Sequence, residues 1–307
     1  MHKMQEIEQQ FRELNESIVK EYEDELYDLK KQQERRQKKL QEDEKEVRDI
    51  LQSSKIDVDR LEKLEHKDAN DLKKYLKDNR PKMIDRPTRL PLDFKERSVY
   101  DSISSQACST TVKPYSASLL APQKNLIKHV QGESGNPWIL PYNPEEINIL
   151  QNSEGSGWGC WAEGKPLPVR WNVWFNFVPD ETSVWDLIAL FGFHGFYILK
   201  AHDGLFTCKE AEVFTEVKMN VYQYFWHGWK NFNLIDKDDD NIELTKFYDS
   251  GQLFDYTTNL KAGDSTWVLV QVSVRAYASG GGSYAEINFS DGAANYIKPF
   301  LLAAGAV

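Results

Sequence analysis

Six aromatic residues crowd the eleven positions from Tyr222 to Phe232, and their spacing could create a recognition surface. Four of them, Tyr222, Tyr224, Trp226 and Trp229, carry a polar atom on the ring. Because side chains alternate between the two faces of a strand, some of these rings must point away from a core. Exposed rings with one polar end suit protein or sugar recognition, so these four are the predicted ligand-binding residues. The alternative is that the rings fill a large sandwich core and an oligomer interface.

Three aspartates at alternate positions, Asp236, Asp238 and Asp240, are the candidate metal ligands. Their run, Asp-Lys-Asp-Asp-Asp-Asn, begins like a calcium-binding EF-hand loop. It departs from that pattern at its sixth position, which is Asn241 in place of glycine, and at its twelfth, which is Phe247 in place of glutamate. The flanks also have strand-like patterns. We therefore predict a solvated acidic turn, with calcium as the one cofactor these residues could hold.

A short string, Gly157-Trp158-Gly159-Cys160, resembles the nucleophile motif of the cysteine proteases that process ubiquitin-like modifiers. In those proteases the string opens a helix, whose dipole would lower the pKa of the thiol. Here Cys160 is followed by Trp-Ala-Glu-Gly-Lys-Pro-Leu-Pro, which cannot form a long helix, and the Asp-Pro-His element is absent. We expect a turn packed with tryptophans and no catalytic residues.

The remaining signals for an enzyme are weak. The six histidines lack metal-ligand spacing, and no serine nucleophile elbow is present. A glycosidase would need two facing carboxylates, which a chain with 48 acidic residues cannot single out by sequence. Three cysteines are too few for a disulfide framework. They favour a reducing compartment, with one disulfide plus a free thiol as the alternative.

The charge of the chain and the composition of its first residues limit the predicted partners and location. A net charge of −10 in an aromatic-rich chain gives no electrostatic footprint for nucleic acid. The first ten residues contain no apolar run, so we expect no conventional signal peptide and synthesis in the cytoplasm. A role as a component of a particle or a surface is compatible with this, and the final location is left open.

The first 80 residues have a different composition from the rest. They contain 41 charged residues and none of the 17 glycines, 12 prolines or nine tryptophans. Met4, Ile7, Phe11, Leu14 and Ile18 follow the 3-4-3-4 spacing of a coiled-coil seam. A long helix this polar needs a partner, because propensity alone stabilises it weakly.

Two arrangements of residues 1–80 compete. The favoured one is a parallel homo-oligomeric coiled coil through residues 4–61, which would form a stalk. The other is a helical hairpin that turns near Gln52-Ser53-Ser54 and folds Val58–Leu76 back on the first helix. Pro81 ends the helical region in both cases.

The rest of the chain is predicted to be a connector followed by a β domain. Residues 81–168 hold ten of the twelve prolines and are predicted to be a connector that packs on the head and contains some short strands. Residues 169–307 alternate apolar and polar side chains, as in Val169–Phe177, Val213–Val221 and Val268–Ala276, which predicts half-buried antiparallel strands. The predicted fold is α+β multidomain, a long helix or coiled coil followed by a jelly-roll-like antiparallel β-sandwich.

The predicted function is non-enzymatic binding or a structural role, with oligomerised heads recognising a protein or a carbohydrate through several sites at once. A membrane-active, toxin-like protein is the alternative. It is based on the apolar segments Val184–Leu199 and Pro299–Val307, which a rearrangement could expose. The first segment is shorter than a bilayer span, and its glycines, Gly192 and Gly195, suggest buried strands joined by a turn. A hydrolase is the least favoured possibility.

Overall fold

The computed structural model describes residues 2–81, 110–121, 139–142, 147–155, 165–202, 208–290 and 295–307. Two helices precede twelve strands. The helices are α1 (His2–Ser53) and α2 (Val58–Asn79). The strands are β1 (Thr110–Val112), β2 (Ser116–Leu120), β3 (Ile139–Tyr142), β4 (Ile149–Glu154), β5 (Val169–Phe177), β6 (Ser183–His202), β7 (Glu210–Tyr222), β8 (Lys230–Asp239), β9 (Asn241–Leu260), β10 (Thr266–Ser279), β11 (Tyr284–Phe289) and β12 (Tyr296–Ala306).

The strands form two antiparallel sheets that face each other across one apolar core. Sheet A has the order β1-β12-β6-β11-β4, and β9 pairs with the other edge of β6 along its whole length. Sheet B has the order β3-β2-β5-β10-β7-β8. Strands β1 to β4 belong to the stretch predicted as a connector, so this stretch contributes strands to both sheets. The predicted antiparallel β-sandwich after an N-terminal helix is confirmed at this level.

Strands β5 and β10 form the centre of sheet B, and their alternation builds the core. Val173 and Val270 face each other in register, and both point into the core with the other odd-numbered residues of β5 and even-numbered residues of β10. The prediction of half-buried strands is wrong for β10, because Trp267 and Leu269 on its outer face are also fully buried. Helix α1 covers them.

Helix α1 lies on the outer face of sheet B. Its buried residues Leu14, Ile18 and Tyr22 form one apolar cluster with Trp174 and Trp267 of the sheet. Polar contacts fix the same surface. Trp267 Nε1 donates to Gln10 Oε1 at 2.9 Å, and the Arg170 guanidinium pairs with both oxygens of Glu25, at 2.6 and 3.2 Å. From Ile7 to Ile18 the predicted seam therefore packs on the sheet of its own chain, and a helical partner for it is not shown.

Helix α2 lies against the outer face of sheet A. Leu72 and Tyr75 are buried with Phe196, Ile198 and Tyr284 of the sheet. An ion pair at 2.8 Å joins Arg80 Nη2, at the end of the helix, to Oε1 of a buried glutamate, Glu286. A second pair joins Asp68 to Lys209 at 2.6 Å. The two helices thus brace opposite faces of the sandwich.

The helical region turns where the hairpin alternative placed it. Helix α1 ends at Ser53, and Lys55 adopts a left-handed conformation with φ 58°. The Ile56 N–H donates to the Leu51 carbonyl at 2.9 Å, as in a Schellman motif. The Asp57 carboxylate then caps α2 by accepting from the Arg60 N–H at 3.1 Å. After this turn the buried residues of α2 pack on sheet A, which the hairpin prediction did not foresee.

The two apolar segments behind the membrane-active alternative are strands of sheet A. Val184–Leu199 lies within β6, one uninterrupted strand, so the predicted turn at Gly192 and Gly195 is wrong. Gly195 instead allows close packing, because a Cβ at this position would lie 2.4 Å from the Phe289 ring. Pro299–Ala306 lies in β12. Neither of the two described helices has a stretch long and apolar enough to cross a bilayer.

Cys208 is disulfide-bonded. The other two cysteines, Cys108 and Cys160, lie outside the described residues, as does the whole Gly157–Cys160 string. A disulfide at Cys208 agrees with the alternative that included a disulfide, and not with the favoured interpretation of reduced cysteines.

Candidate ligand-binding surface

The predicted ligand-binding residues lie on one loop, Tyr222–Trp229, which we call the aromatic loop. It begins at the last residue of β7 and turns back at once. Tyr222 and Trp226 form an antiparallel bridge, and the His227 N–H donates to the Val221 carbonyl at 2.9 Å. Gly228 completes the reversal with φ 111°, a conformation that L side chains rarely adopt. The reversal places the rings together at one end of the sandwich.

Two buried amide side chains hold the loop in place. Asn220 Oδ1 accepts from the Gly228 N–H at 3.0 Å. Gln223 Nε2 donates to the Lys261 carbonyl at 2.8 Å, and Gln223 Oε1 accepts from the Lys261 N–H at the same distance. Because both amides are buried, their hydrogen bonds are costly to break, and the loop is fixed to the turn after β9.

The rings divide into a base and an exposed layer. Tyr222 and Trp226 form the base and pack against the cluster beneath α1, with Trp226 at 6.1 Å from Trp174 between ring centroids. Tyr224, Phe225 and Trp229 are exposed, at 55, 62 and 38 % of their surface. Trp229 stacks on Trp226 with 14° between the ring planes and 6.5 Å between centroids. Two of the four predicted residues are thus exposed and the other two support them.

Polar side chains line the exposed rings. The Tyr224 hydroxyl donates to the Asp264 carboxylate, and Lys261 Nζ lies 3.4 Å from the same carboxylate. The hydrogen bond with Asp264 raises the pKa of Tyr224, so this hydroxyl stays protonated well above neutral pH. Lys230, the residue after Trp229 in the chain, forms an ion pair with Asp255 at 2.5 Å.

His227 gives the loop a neutral imidazole. Burial lowers its pKa, and its Nδ1 lies 2.8 Å from the hydroxyl oxygen of Thr258. Its ring stacks on Phe225 with 4.7 Å between centroids. The sequence patterns did not connect His227, Asp264 or Lys261 with this surface. The pair Lys261 and Asp264 sits in a turn about 40 positions further along the chain, and hydrogen bonds from Gln223 and Tyr224 connect the two segments.

The three predicted metal ligands do not converge. Asp236 and Asp238 lie on β8, Asp240 lies in the turn to β9, and all three are exposed. The neighbouring Asp239 caps the turn by accepting from the Asn241 N–H at 2.9 Å. Within the described ranges, no group of three or more histidine, cysteine or acidic side chains is arranged to hold a metal ion. Calcium binding here stays a prediction.

Comparisons with known proteins assign no family. No protein-family model and no curated protein matches the chain. Among solved structures, TmCBM61 in complex with β-1,4-galactotriose aligns at 9 % identity and a TM-score of 0.20, over 67 % of this chain and 94 % of its own. Murine APRIL aligns at 10 % identity and 0.15, over 56 % and 97 %. A CBM4 structure aligns at 9 % and 0.17, over 64 % and 99 %. At these TM-scores the similarity identifies neither a family nor a ligand for this chain.

Proposed function

We propose that this chain is a non-enzymatic binding protein that recognises a carbohydrate through the exposed layer of the aromatic loop. The observation that carries the proposal is the combination of Tyr224 and Trp229, two exposed rings, with hydrogen-bonding groups at their rim. A pyranose ring has an apolar face of C–H groups and an edge of hydroxyls. Exposed aromatic faces fit the first, and charged or amide groups fit the second.

The rim chemistry favours a neutral polyhydroxyl ligand over an anionic or cationic one. Asp264 accepts hydrogen bonds and Lys261 donates them, and the two are paired with each other. Lys230, which follows Trp229 in the chain, forms a second such pair with Asp255. Since each charge is balanced by its neighbour, the surface offers donors and acceptors without a strong net field.

The rigidity of the loop also supports recognition of a flexible polymer. A glycan loses conformational freedom when it binds, and a preformed surface adds no ordering cost of its own. Asn220 and Gln223 provide this preorganisation by fixing the loop through buried hydrogen bonds. A loop that only filled space would not need two buried amides.

The assembly of several heads through residues 4–61 stays a separate prediction. The seam residues Phe11, Leu14 and Ile18 pack on sheet B, so a coiled coil through them would require α1 to leave the sandwich. The membrane-active and hydrolase alternatives gain no specific support from the described contacts, and we do not propose them.

A glycan microarray probed with the full chain tests the proposal. We expect binding to one or more glycans, and a loss of that signal in Trp229→Ala and in Tyr224→Ala. The matched control is Tyr27→Ala, which removes another exposed ring, 61 % accessible, from helix α1. Binding to no glycan, or equal loss in the control, would refute carbohydrate recognition by this loop.

A further inference from the structure

Strand β9 is the outer strand of sheet A and has the properties of a pairing edge. Its twenty residues pair without interruption with β6, and among the described strands β6 is its only partner. The outer strand β8 of sheet B, by contrast, pairs with β7 through a register shift of the kind that disrupts a ladder. No proline interrupts β9. A long, regular edge of this kind offers a row of backbone groups to another strand.

Two apolar side chains lie exposed on the outer face of this edge. Phe247 and Leu253 are 43 and 38 % accessible, and they are equally far from Ser250 in the sequence. All the odd-numbered residues of β9 from Asn241 to Asn259 lie on this face, and all of them except the half-buried Thr245 are exposed. The apolar pattern is therefore symmetric about Ser250, as a two-fold axis requires.

We propose that β9 pairs antiparallel with β9 of a second copy of this chain, about a two-fold axis at Ser250. In this register Phe247 of each copy faces Leu253 of the other, which builds a four-residue apolar cluster across the axis. The acidic residues of the outer face meet small or neutral partners. Asp249 faces Gly251, Asp255 faces Thr245, and Glu243 faces Thr257.

Neighbouring registers are unfavourable. An axis at Asp249 sets Asp249 against itself and Glu243 against Asp255. An axis at Gly251 sets Asp255 against Phe247 and Asp249 against Leu253. Like charges directly opposite each other destabilise an antiparallel pair, and apolar residues opposite carboxylates lose their contact. The pattern of side chains on the face thus selects Ser250 as the centre.

The two ends of the edge are also complementary in charge. The acidic turn Asp238–Asp240 precedes β9, and Lys261 follows it. Antiparallel pairing brings the acidic turn of one copy beside Lys261 of the other at both ends of the interface. The charges therefore favour an antiparallel alignment of the two copies. A parallel alignment would bring their two acidic turns together, where like charges repel.

The pairing would give a two-site particle. The aromatic loop is fixed to the turn at Lys261, the far end of β9. Since twenty residues of strand span about 65 Å, the two aromatic loops would lie on the order of 60 Å apart, at opposite ends of the shared sheet. Two weak sites held at that separation would bind a long or repeated ligand more tightly than either alone.

Sedimentation velocity and cysteine cross-linking test the interface without reference to any ligand. We expect the full chain to form a dimer in the micromolar range. We also expect Ser250→Cys to form an interchain disulfide on mild oxidation, because the axis brings this position opposite itself. Asn259→Cys is the matched control on the same strand, since Asn259 would face Asn241 and lie far from its own copy.

A charge substitution then tests the register. Gly251→Asp would face Asp249 of the second copy at two symmetric points, so we expect the dimer dissociation constant to rise at least tenfold. Gln32→Glu adds the same charge to an exposed position on α1 and should leave dimerisation unchanged. A monomer at 100 µM, a dimer indifferent to Gly251→Asp, or equal cross-linking of both cysteine variants would overturn the proposal. If the protein is a monomer that binds a glycan, the dimer proposal is wrong and the proposed carbohydrate recognition is still supported.

Discussion

Lys55 has the least favourable backbone conformation for its residue type in the described part of the chain. It is the only non-glycine residue there with a positive φ, in the turn between α1 and α2. Left-handed backbone costs an L side chain about 1 kcal/mol or more, and helices commonly place glycine at this position. The first 80 residues contain no glycine, so the turn forms with this cost.

We therefore expect Lys55→Gly to stabilise the protein. Relief of the left-handed conformation outweighs the extra freedom that glycine gains in the unfolded chain, for a net gain of about 0.5 kcal/mol. Urea unfolding at neutral pH measures the difference, with Lys55→Ala as the control that removes the side chain and keeps the strain. Equal stability of the two variants would contradict the assigned turn.

Glu212 carries a buried charge on β7. Burial by itself would raise the pKa of this carboxyl, but hydrogen bonds from Lys165 and Arg275 outweigh it and lower the pKa below the usual 4.5. A carboxyl with a lowered pKa stabilises the fold above its unfolded-state pKa, and this contribution disappears as the pH falls through the folded-state pKa. The ion pairs of Glu212 should therefore matter at neutral pH and not in acid.

Substitution Glu212→Gln tests this sign. We expect a loss of roughly 1–3 kcal/mol at pH 7, because two cationic partners would lose their charge-assisted bonds. The deficit should begin to shrink as the pH falls below about 4.5, where this carboxyl becomes protonated in the unfolded chain. It should disappear as the pH falls further, through the lower pKa of the folded state. Urea unfolding between pH 3 and pH 7 provides the comparison, and Glu154→Gln, at an exposed position, serves as control. A deficit independent of pH would show that the charge is not responsible.

At the scale of elements, helix α1 acts as a brace for sheet B. Leu14 is buried against the sheet, so Leu14→Ala should lower the free energy of unfolding by about 2–4 kcal/mol. Glu13→Ala, one position away on the exposed side, should change it little. If α1 were instead a stalk, Leu14→Ala would alter the association state and leave the unfolding of a monomer unchanged. Combined urea unfolding and sedimentation distinguish the two cases.

The sequence predicted well the elements that bury one face. It did not predict which element of the fold covers the second face of a strand or helix. Strand β7 could be predicted because apolar and polar residues alternate along it, and its burial alternates in the same way. The continuity of β6 could not be predicted, because Gly192 and Gly195 are typical turn residues. The reason for glycine at position 195 is the close contact with the Phe289 ring, which only the fold reveals. The seam of α1 has the same apolar spacing whether it packs on a helix or on a sheet, so spacing alone could not choose.

The candidate site was predictable in part for a similar reason. The density of rings between Tyr222 and Trp229 is visible in the sequence, and Tyr224 and Trp229 are exposed as a recognition surface requires. Which rings form the base depends on Trp174 and on the contact with α1, which are distant in sequence. The polar rim depends on a bond between Gln223 and Lys261 that no local pattern predicts.

At the scale of the whole molecule, the disulfide at Cys208 predicts a thiol count. Unfolded without reductant, the chain should react with a thiol reagent at one cysteine, and after reduction at all three. Protein prepared in an oxidising medium is the right sample, because thiols stay reduced in most cytosolic settings. Three reactive thiols in such a sample before reduction would contradict the bond.

The two helices, the sandwich and the aromatic loop form one connected unit. Tyr222 and Trp226, the base of the loop, belong to the same apolar cluster that α1 covers. The helix therefore supports the recognition surface from below. This connection predicts that weakening α1 also weakens the site, whereas a change at α2 on the opposite sheet should not reach it.

Carbohydrate recognition by the exposed rings is the central claim, and a fluorescence titration tests it most directly. The full chain is titrated with a soluble form of the glycan that the microarray selects, beside Trp229→Ala and the control Tyr27→Ala. We predict that Trp229→Ala weakens binding at least tenfold, about 1.4 kcal/mol, while the control binds as the wild type does. Equal affinity of the wild type and Trp229→Ala would contradict the claim.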